Sequence, residues 1–600
     1  MFVWDDEDLN DEQVQAIIEP NNVFLVACPG SGKTRTLTYK IALELSRLED
    51  PKKWIVAITY THRAADEISD RIESLGVDTS QLWIGTIHAF CLEWILKPYS
   101  IYHGKLKNGF KIINSYDSED IISQICSNVR TERVRYGECN HFYTPRGIEL
   151  NSAGRKTSLV REVIESYHRH LEVNSQIDFE QILFFAYEII SSNNSIAKIV
   201  ANLFSFILID EYQDTKEIQY SIVASIIKAS QSRVKSFIVG DPNQAIYGSL
   251  GGYAITKYEL EQLTQVSFAS KDLDKNYRSS SKIIDYYRTY NVTTSSVIAE
   301  GEYKHYPSTI TYDQVTHKDN IVEEVSRHIE HSIQNLGISE REICVIAPWW
   351  THLAALTRNL VNRLPQYSFD GPGLVPFSRD IDNFWFKLTQ IILTEPSPNM
   401  YVKRLRWASD VLNDMELAHV DVHSISPKQL LKTINSISID ENDGLTNLRL
   451  FFNAIFCELD INFELYPSLK EHHESFFNST QNRIDRLSNE NALFATDITA
   501  FRKAFKPRTG IKVSTIHGVK GGEYDVVISF GLLQDLVPNF NDPSVESAKK
   551  LLYVIGSRAR KNLHLISERG RMTGFGQYRR ERSPTEVLEN TTYPYDVTSF

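Results

Sequence analysis

The sequence predicts an α/β fold: two doubly wound parallel-sheet cores in tandem, each interrupted by a mainly helical insertion. Three observations predict it. Apolar, strand-length runs at 23–28, 54–59, 206–209, 237–240, 343–347 and 525–530 alternate with helical stretches. One run, Val23-Phe24-Leu25-Val26, leads directly into a glycine-rich loop, Ala27-Cys28-Pro29-Gly30-Ser31-Gly32-Lys33-Thr34. Another, Phe206-Ile207-Leu208-Ile209, ends in Asp210-Glu211. An acidic pair at a buried strand end is costly unless it meets a cation.

Strand, glycine-rich loop and helix form the context of a phosphate-binding P-loop, with Ala27 in place of the usual first glycine. Gly30 and Gly32 let backbone N–H groups turn inward around phosphate oxygens, with Ser31 between them. The helix opening at Lys33 and reaching about Arg47 adds the positive end of its dipole. Lys33 is expected to reach the β- and γ-phosphates, and the Thr34 hydroxyl to hold Mg²⁺. Asp210 is expected to share that ion, and Glu211 to orient and deprotonate the attacking water.

Composition sets the outer limits. At 600 residues the chain has room for about four domains. With 42% hydrophobic and 23% charged residues it is ordinary globular material. A net charge of −12 argues against a generally basic nucleic-acid coat, while leaving room for a local groove. The cysteines (Cys28, Cys91, Cys126, Cys139, Cys344, Cys457) form no C-x-x-C pair, so no zinc or iron–sulfur module is expected. Reduced thiols and an acidic start, Met-Phe-Val-Trp-Asp-Asp-Glu-Asp, point to a cytoplasmic protein without a signal peptide. No apolar run approaches membrane-spanning length, so no membrane partner is expected.

An ordered series of further motifs gives the chain its resemblance. Leu9-Asn10-Asp11-Glu12-Gln13 resembles an adenine-reading Q motif, Ile58 to Ala65 motif Ia, and Gly85 to Phe90 motif Ib. Asp178-Phe179-Glu180 resembles the acidic-aromatic signature ahead of motif II, which is Asp210 to Thr215. Val239 to Tyr247 resembles motif III, Asn276 to Ser279 motif IV, Thr515 to Glu523 motif V and Leu552 to Ala559 motif VI. In this order, over residues 9 to about 590, the chain resembles superfamily-1 DNA helicases of the UvrD/Rep/PcrA type.

The resemblance implies two RecA-like cores that use ATP and Mg²⁺. It implies that Gln13 meets the adenine edge, that Arg35 and Tyr277 pack on its ring, and that Gln244 senses the γ-phosphate. Arg278 and Arg558 correspond to paired arginine fingers, and Glu523 to a carboxylate near the nucleotide. Single-stranded DNA contacts fall on Tyr60, Thr61 and His62, on Thr86 and His88, and on His517. Near the chain's end, Phe575 or Tyr578 takes the place of a wedge at the duplex junction, although an ordinary solvated hairpin fits those residues as well. The direction implied is 3′ to 5′.

The expected domains are a first core (1–96 with 176–275) holding a helical insertion (97–175), a second core (276–395 with 506–590) holding a short helical insertion (396–505), and a tail (591–600). Within 396–505, Leu448, Leu450, Phe451, Phe452, Ile455 and Phe456 form one apolar stretch, read as plain helix core.

Of the departures from the family pattern, the one that bears on DNA stepping lies in motif III. After Tyr247 the family usually carries an aromatic followed by arginine; here Ser249-Leu250-Gly251-Gly252 stands in their place. Serine offers no stacking face, which is worth about 1–3 kcal/mol per base. Two readings therefore stand. In one, the chain is a DNA translocase or helicase acting on single-stranded or tailed duplex DNA. In the other, it is an ATP-hydrolysing, DNA-end- or nucleotide-sensing subunit beside a nuclease partner, as in Gabija-type phage defence. A non-enzymatic scaffold fits poorly, because each residue needed for hydrolysis is present.

Overall fold

The computed structural model describes residues 4–5, 7–129, 132–151, 156–372, 377, 383–489, 496–505, 510–540, 542–574 and 579–597. They fall into two compact units, Met1–Lys318 with Val519–Ser599, and Asp319–Gly518 with Phe600.

The first unit is built on six parallel strands: β1 (Val23–Ala27), β2 (Trp54–Thr59), β3 (Leu82–Thr86), β4 (Phe204–Ile209), β5 (Lys235–Gly240) and β6 (Ala269–Leu273). Their order is β6-β1-β5-β4-β2-β3. Side chains alternate between faces, which explains the uninterrupted apolar runs. Val23, Leu25, Ile55, Ala57, Leu208 and Val239 enter one core, and Phe24, Val56, Ile58, Ile207, Ile209 and Ile238 the other. Each fully buried aliphatic or Phe side chain contributes about 1.5–3 kcal/mol. The P-loop and motifs Ia, Ib, II and III all follow carboxyl ends of these strands, where open α/β sheets bind ligands. The sequence pattern missed two strands, β3 and β6. Both are edge strands, and β6 (Ala-Ser-Lys-Asp-Leu) is polar, as edges tend to be.

Within 97–175 the expected helices are present, Ser115–Asn128 and Thr157–Val173, packed through Ile122, Cys126, Val160, Ile164 and Tyr167. They are joined by an unexpected antiparallel hairpin, His141–Thr144 with Gly147–Leu150. Four-residue strands of mixed polarity carry too little periodicity to be read. The unit also contains the parallel strands Ile310–Asp313, Ala559–Ile566 and Tyr524–Ser529.

The second unit contains parallel strands Ile343–Ala347, Ile511–Thr515 and Phe369–Asp370, and a helical body. The body centres on Trp385, which is fully buried among Phe452, Phe456 and Phe463. In the helix Gly444–Glu458, Leu448, Phe451, Phe452, Ile455 and Phe456 form core as expected. Leu450 does not: it is 45% exposed. Two residues on from Leu448 it lies about 200° around the helix. Among the described residues no helix is long and apolar enough to cross a membrane.

Candidate functional site

The glycine-rich loop is fixed from both sides. Gly30 and Gly32 have φ of 70° and 77°, in the left-handed region that other residues rarely adopt. A Cβ on Gly30 would lie 2.6 Å from the Arg278 Cβ, and one on Gly32 2.5 Å from Gln13 Nε2. Gln13 forms a capping box with Asn10 at the start of the helix Asp11–Ile18. Its Nε2 also donates to the Ser31 carbonyl at 2.9 Å. The Gln13 amide is thus engaged at both ends, Oε1 by the Asn10 N–H and Nε2 by the loop. Asn276 Nδ2 donates to the Pro29 carbonyl at 2.6 Å, and the Tyr277 N–H to the Gly30 carbonyl at 2.9 Å. Tyr277 and Arg35, the expected adenine-packing pair, are both substantially exposed, and Arg35 pairs with Asp8 at 3.4 Å.

The acidic pair meets its cation. Lys33 Nζ is ion-paired with Glu211 and lies 4.0 Å from Asp210 Oδ1. Glu211 sits at φ 54°, ψ 49°, a left-handed conformation that costs a non-glycine residue about 1–3 kcal/mol and persists only where surrounding contacts impose it. Gln213 Nε2 supplies one such contact, donating to Glu211 Oε2 at 2.5 Å. The environments split the neighbouring carboxylates. Burial pushes Asp210 up to about 6 despite Lys33. Burial acts on Glu211 too, but the Lys33 and Lys520 ammoniums outweigh it and hold its pKa at about 2. Asp214 is pushed up to about 6 by burial, although it is ion-paired with Lys520. Diverging pKa values of this kind mark groups with different tasks.

From Glu211 a hydrogen-bonded chain runs through motif III into motif VI. The Asp241 N–H donates to Gln213 Oε1 at 2.9 Å, and Gln244 Nε2 donates to Asp241 Oδ2 at 2.8 Å. Arg558 Nη2 donates to Gln244 Oε1 at 2.6 Å. Arg558 is 2% exposed. Its other acceptors are the carbonyls of Gly522 and Val554 and the Ser557 hydroxyl. Among the described residues it has no carboxylate within ion-pair distance. Burial, then Arg278, lowers its pKa to about 10, so it stays charged at neutral pH. Arg278 donates to Glu523 Oε2 at 2.5 Å and to the Ser557 carbonyl at 2.9 Å. That pairing outweighs the effect of burial and lowers the Glu523 pKa.

On the other side of Asp210, Tyr60, His62, Thr86 and His88 line one cavity of about 140 Å³, together with Phe179 and Asp210. Thr61 and Thr86 are N-caps, accepting from the Ala64 and Ala89 N–H groups at 3.2 and 3.4 Å. Burial lowers the His88 pKa to about 4, leaving a neutral imidazole edge-on to Phe179 at 6.0 Å. The Tyr60 and Tyr247 rings are 5.0 Å apart, and Lys520 Nζ is 5.5 Å from the Tyr247 centroid. Ser249 and Leu250 form a short turn, with Leu250 49% exposed. His517 belongs to the second unit. Phe575 and Tyr578 lie outside the described residues.

Sequence reasoning did not assign roles to Gln213, Asp214, Asp241, Asn276 or Lys520. The available signal was that all five lie within or beside motifs already recognised, but their partners are up to 312 residues away.

Residues 9–262 match the UvrD/REP helicase N-terminal domain, and residues 428–570 the UvrD-like helicase C-terminal domain. The chain is 23% identical to the ATP-dependent DNA helicase PcrA of Staphylococcus epidermidis over 634 residues, covering 94% of this chain and 84% of the relative. It is equally similar to a probable DNA helicase II homolog of Mycoplasma capricolum, and to PcrA of Staphylococcus aureus, with the same coverage. With the P-loop, the acidic pair and the two arginines gathered in one site, the chain belongs to the UvrD-like family of ATP-hydrolysing DNA helicases.

Proposed function

We propose that this protein is a cytoplasmic motor that uses Mg²⁺-dependent ATP hydrolysis to move along single-stranded DNA, 3′ to 5′, and to open duplex ahead of it. The observation that carries the hydrolytic half is Arg558: a buried guanidinium held by neutral acceptors, with no carboxylate at ion-pair distance among the described residues. An unpaired buried cation is expensive, and a phosphoryl group gaining charge in its transition state is the anion such a site suits.

The residues present fit a magnesium nucleotide. Lys33 and the loop N–H groups would hold the phosphates, and Thr34 and Asp210 would hold Mg²⁺, which neutralises charge on the phosphate oxygens when bound. Glu211, ionised at neutral pH, accepts the proton of the attacking water. Gln244 couples Arg558 to Asp241 and, through Gln213, to Glu211. Arg278 and Arg558 stabilise the charge that develops on the γ-phosphate.

Strand contact is assigned to the cavity at Tyr60, His62, Thr86 and His88. The exposed Tyr60 ring, seated against Tyr247, supplies a stacking face where Ser249 and Leu250 supply none. Because Lys520 contacts both Asp214 and the Tyr247 ring, a base stacked there would act on a residue that also touches the acidic cluster. The exposed Leu250 is the observation favouring the second reading, a sensor subunit working beside a nuclease.

The test is the ATPase rate of the full chain with and without single-stranded DNA. Stimulation that disappears in Lys33→Ala and Glu211→Gln supports the motor; activity retained in both variants sinks the assignment. Hydrolysis indifferent to DNA favours the sensor.

A further inference from the structure

Away from the nucleotide, three side chains converge from three elements. His141 begins the hairpin strand His141–Thr144, His168 lies on the helix Thr157–Val173, and Asp178 caps the helix Phe179–Ser192. One ring nitrogen from each histidine and one Asp178 carboxylate oxygen all lie within 4.8 Å of one another. We propose that His141, His168 and Asp178 form a site for one divalent transition-metal ion of the zinc class.

The donor set is that of a catalytic-type zinc centre: two imidazoles and a carboxylate, with a fourth position open to water. Its most specific feature is His141. Its Nδ1 lies 3.1 Å from the Cys139 carbonyl, which can only accept, so Nδ1 donates there and Nε2 is the nitrogen left to meet an ion. That Nε2 is buried and has no hydrogen-bond partner. A backbone carbonyl fixing the tautomer while the other nitrogen faces the ion is the usual outer contact of a metal-binding histidine.

The other two ligands are similarly oriented. The Tyr143 hydroxyl is 3.3 Å from His168 Nε2, and the two rings stack at 5.8 Å. Asp178 Oδ1 accepts from the Gln181 N–H at 2.8 Å and Oδ2 from the Tyr167 hydroxyl at 2.9 Å, so each oxygen retains a lone pair. Around zinc, with bonds of about 2.0–2.1 Å, ligand atoms sit about 3.4 Å apart. The cluster must therefore contract by up to about 1.4 Å, within reach of side-chain torsions. The two imidazoles lie edge to face, 5.3 Å between centroids at an interplanar angle of 70°. Such an ion ties the hairpin to the helix that carries Phe179.

The experiment is a zinc titration of the full chain, stripped of metal, against a chromophoric chelator, with excess Mg²⁺ to occupy the P-loop carboxylates. One tightly bound equivalent is expected. Affinity should fall at least about tenfold in His141→Ala and His168→Gln and be unchanged in His170→Ala, whose exposed side chain lies on the same helix. Zinc should raise the thermal midpoint of the wild type but not of the two variants. No bound equivalent in the wild type, a measurement that needs no variant to fold, overturns the proposal. So does wild-type affinity in both variants. A thiolate-to-metal charge-transfer band on Co²⁺ substitution would assign the ion to Cys126 and Cys139 and overturn it as well.

Discussion

Arg558 Nη2 donates to Gln244 Oε1 at 2.6 Å, joining residues 314 positions apart in the chain. The bond holds the guanidinium in a fixed plane beside neutral acceptors. Arg558→Ala should lower the ATPase rate about a thousandfold or more while leaving nucleotide binding within a few-fold. Arg558→Lys should not restore it, because an ammonium cannot hold Gln244 and two carbonyls and still address a phosphate. Steady-state kinetics alongside a nucleotide-binding titration separate these effects.

The acidic cluster predicts an acid limb in the pH–rate profile. Asp210 must be ionised to hold a cation, and burial places its pKa at about 6. At limiting Mg²⁺, activity should be half-maximal near pH 6, and saturating Mg²⁺ should move that limb to lower pH. The stability terms have opposite signs. The folded-state pKa of Asp210 is raised, so its contribution is unfavourable above about 6 and is relieved as pH falls toward its unfolded value. The folded-state pKa of Glu211 is depressed to about 2, so its stabilisation is present above its unfolded value and is lost as pH falls through about 2. An acid limb that does not move with Mg²⁺ concentration would detach Asp210 from the metal.

His88 is held neutral by burial, with its pKa at about 4. It should therefore contribute to strand binding by packing, not by neutralising a phosphate. His88→Ala should weaken single-stranded DNA binding about tenfold yet leave the slope of log affinity against log salt unchanged. Loss of a phosphate contact would instead reduce that slope by about 0.7. Fluorescence anisotropy across a salt series decides between the two.

What was legible in the sequence was the part encoded locally. The P-loop, its following helix and the acids after β4 announce themselves through contiguous residues, because apolar runs, glycines and charges have strong local preferences. Four of the six strands of the first sheet were visible for the same reason; the two edge strands were not, β6 because it is polar and β3 because its apolar part, Leu82-Trp83-Ile84, is only three residues long. The hairpin at His141–Leu150 was too short to show a period, and Leu450 sits on the outer side of a helix whose neighbours are core. Long-range partners were invisible: nothing local indicates that Lys520 pairs with Asp214, that Gln13 braces Ser31, or that His141 meets His168 and Asp178. That the Thr61 and Thr86 hydroxyls also cap helices was not legible either.

The central claim is that ATP hydrolysis at this site moves DNA strands. The most direct measurement is strand displacement by the full chain on a duplex with a 3′ single-stranded tail, compared with a 5′-tailed duplex, in the presence of Mg²⁺ and ATP. Displacement is expected for the 3′-tailed substrate, with none for the 5′-tailed one and none in Arg558→Ala. Brisk ATP hydrolysis with neither substrate opened would contradict the claim.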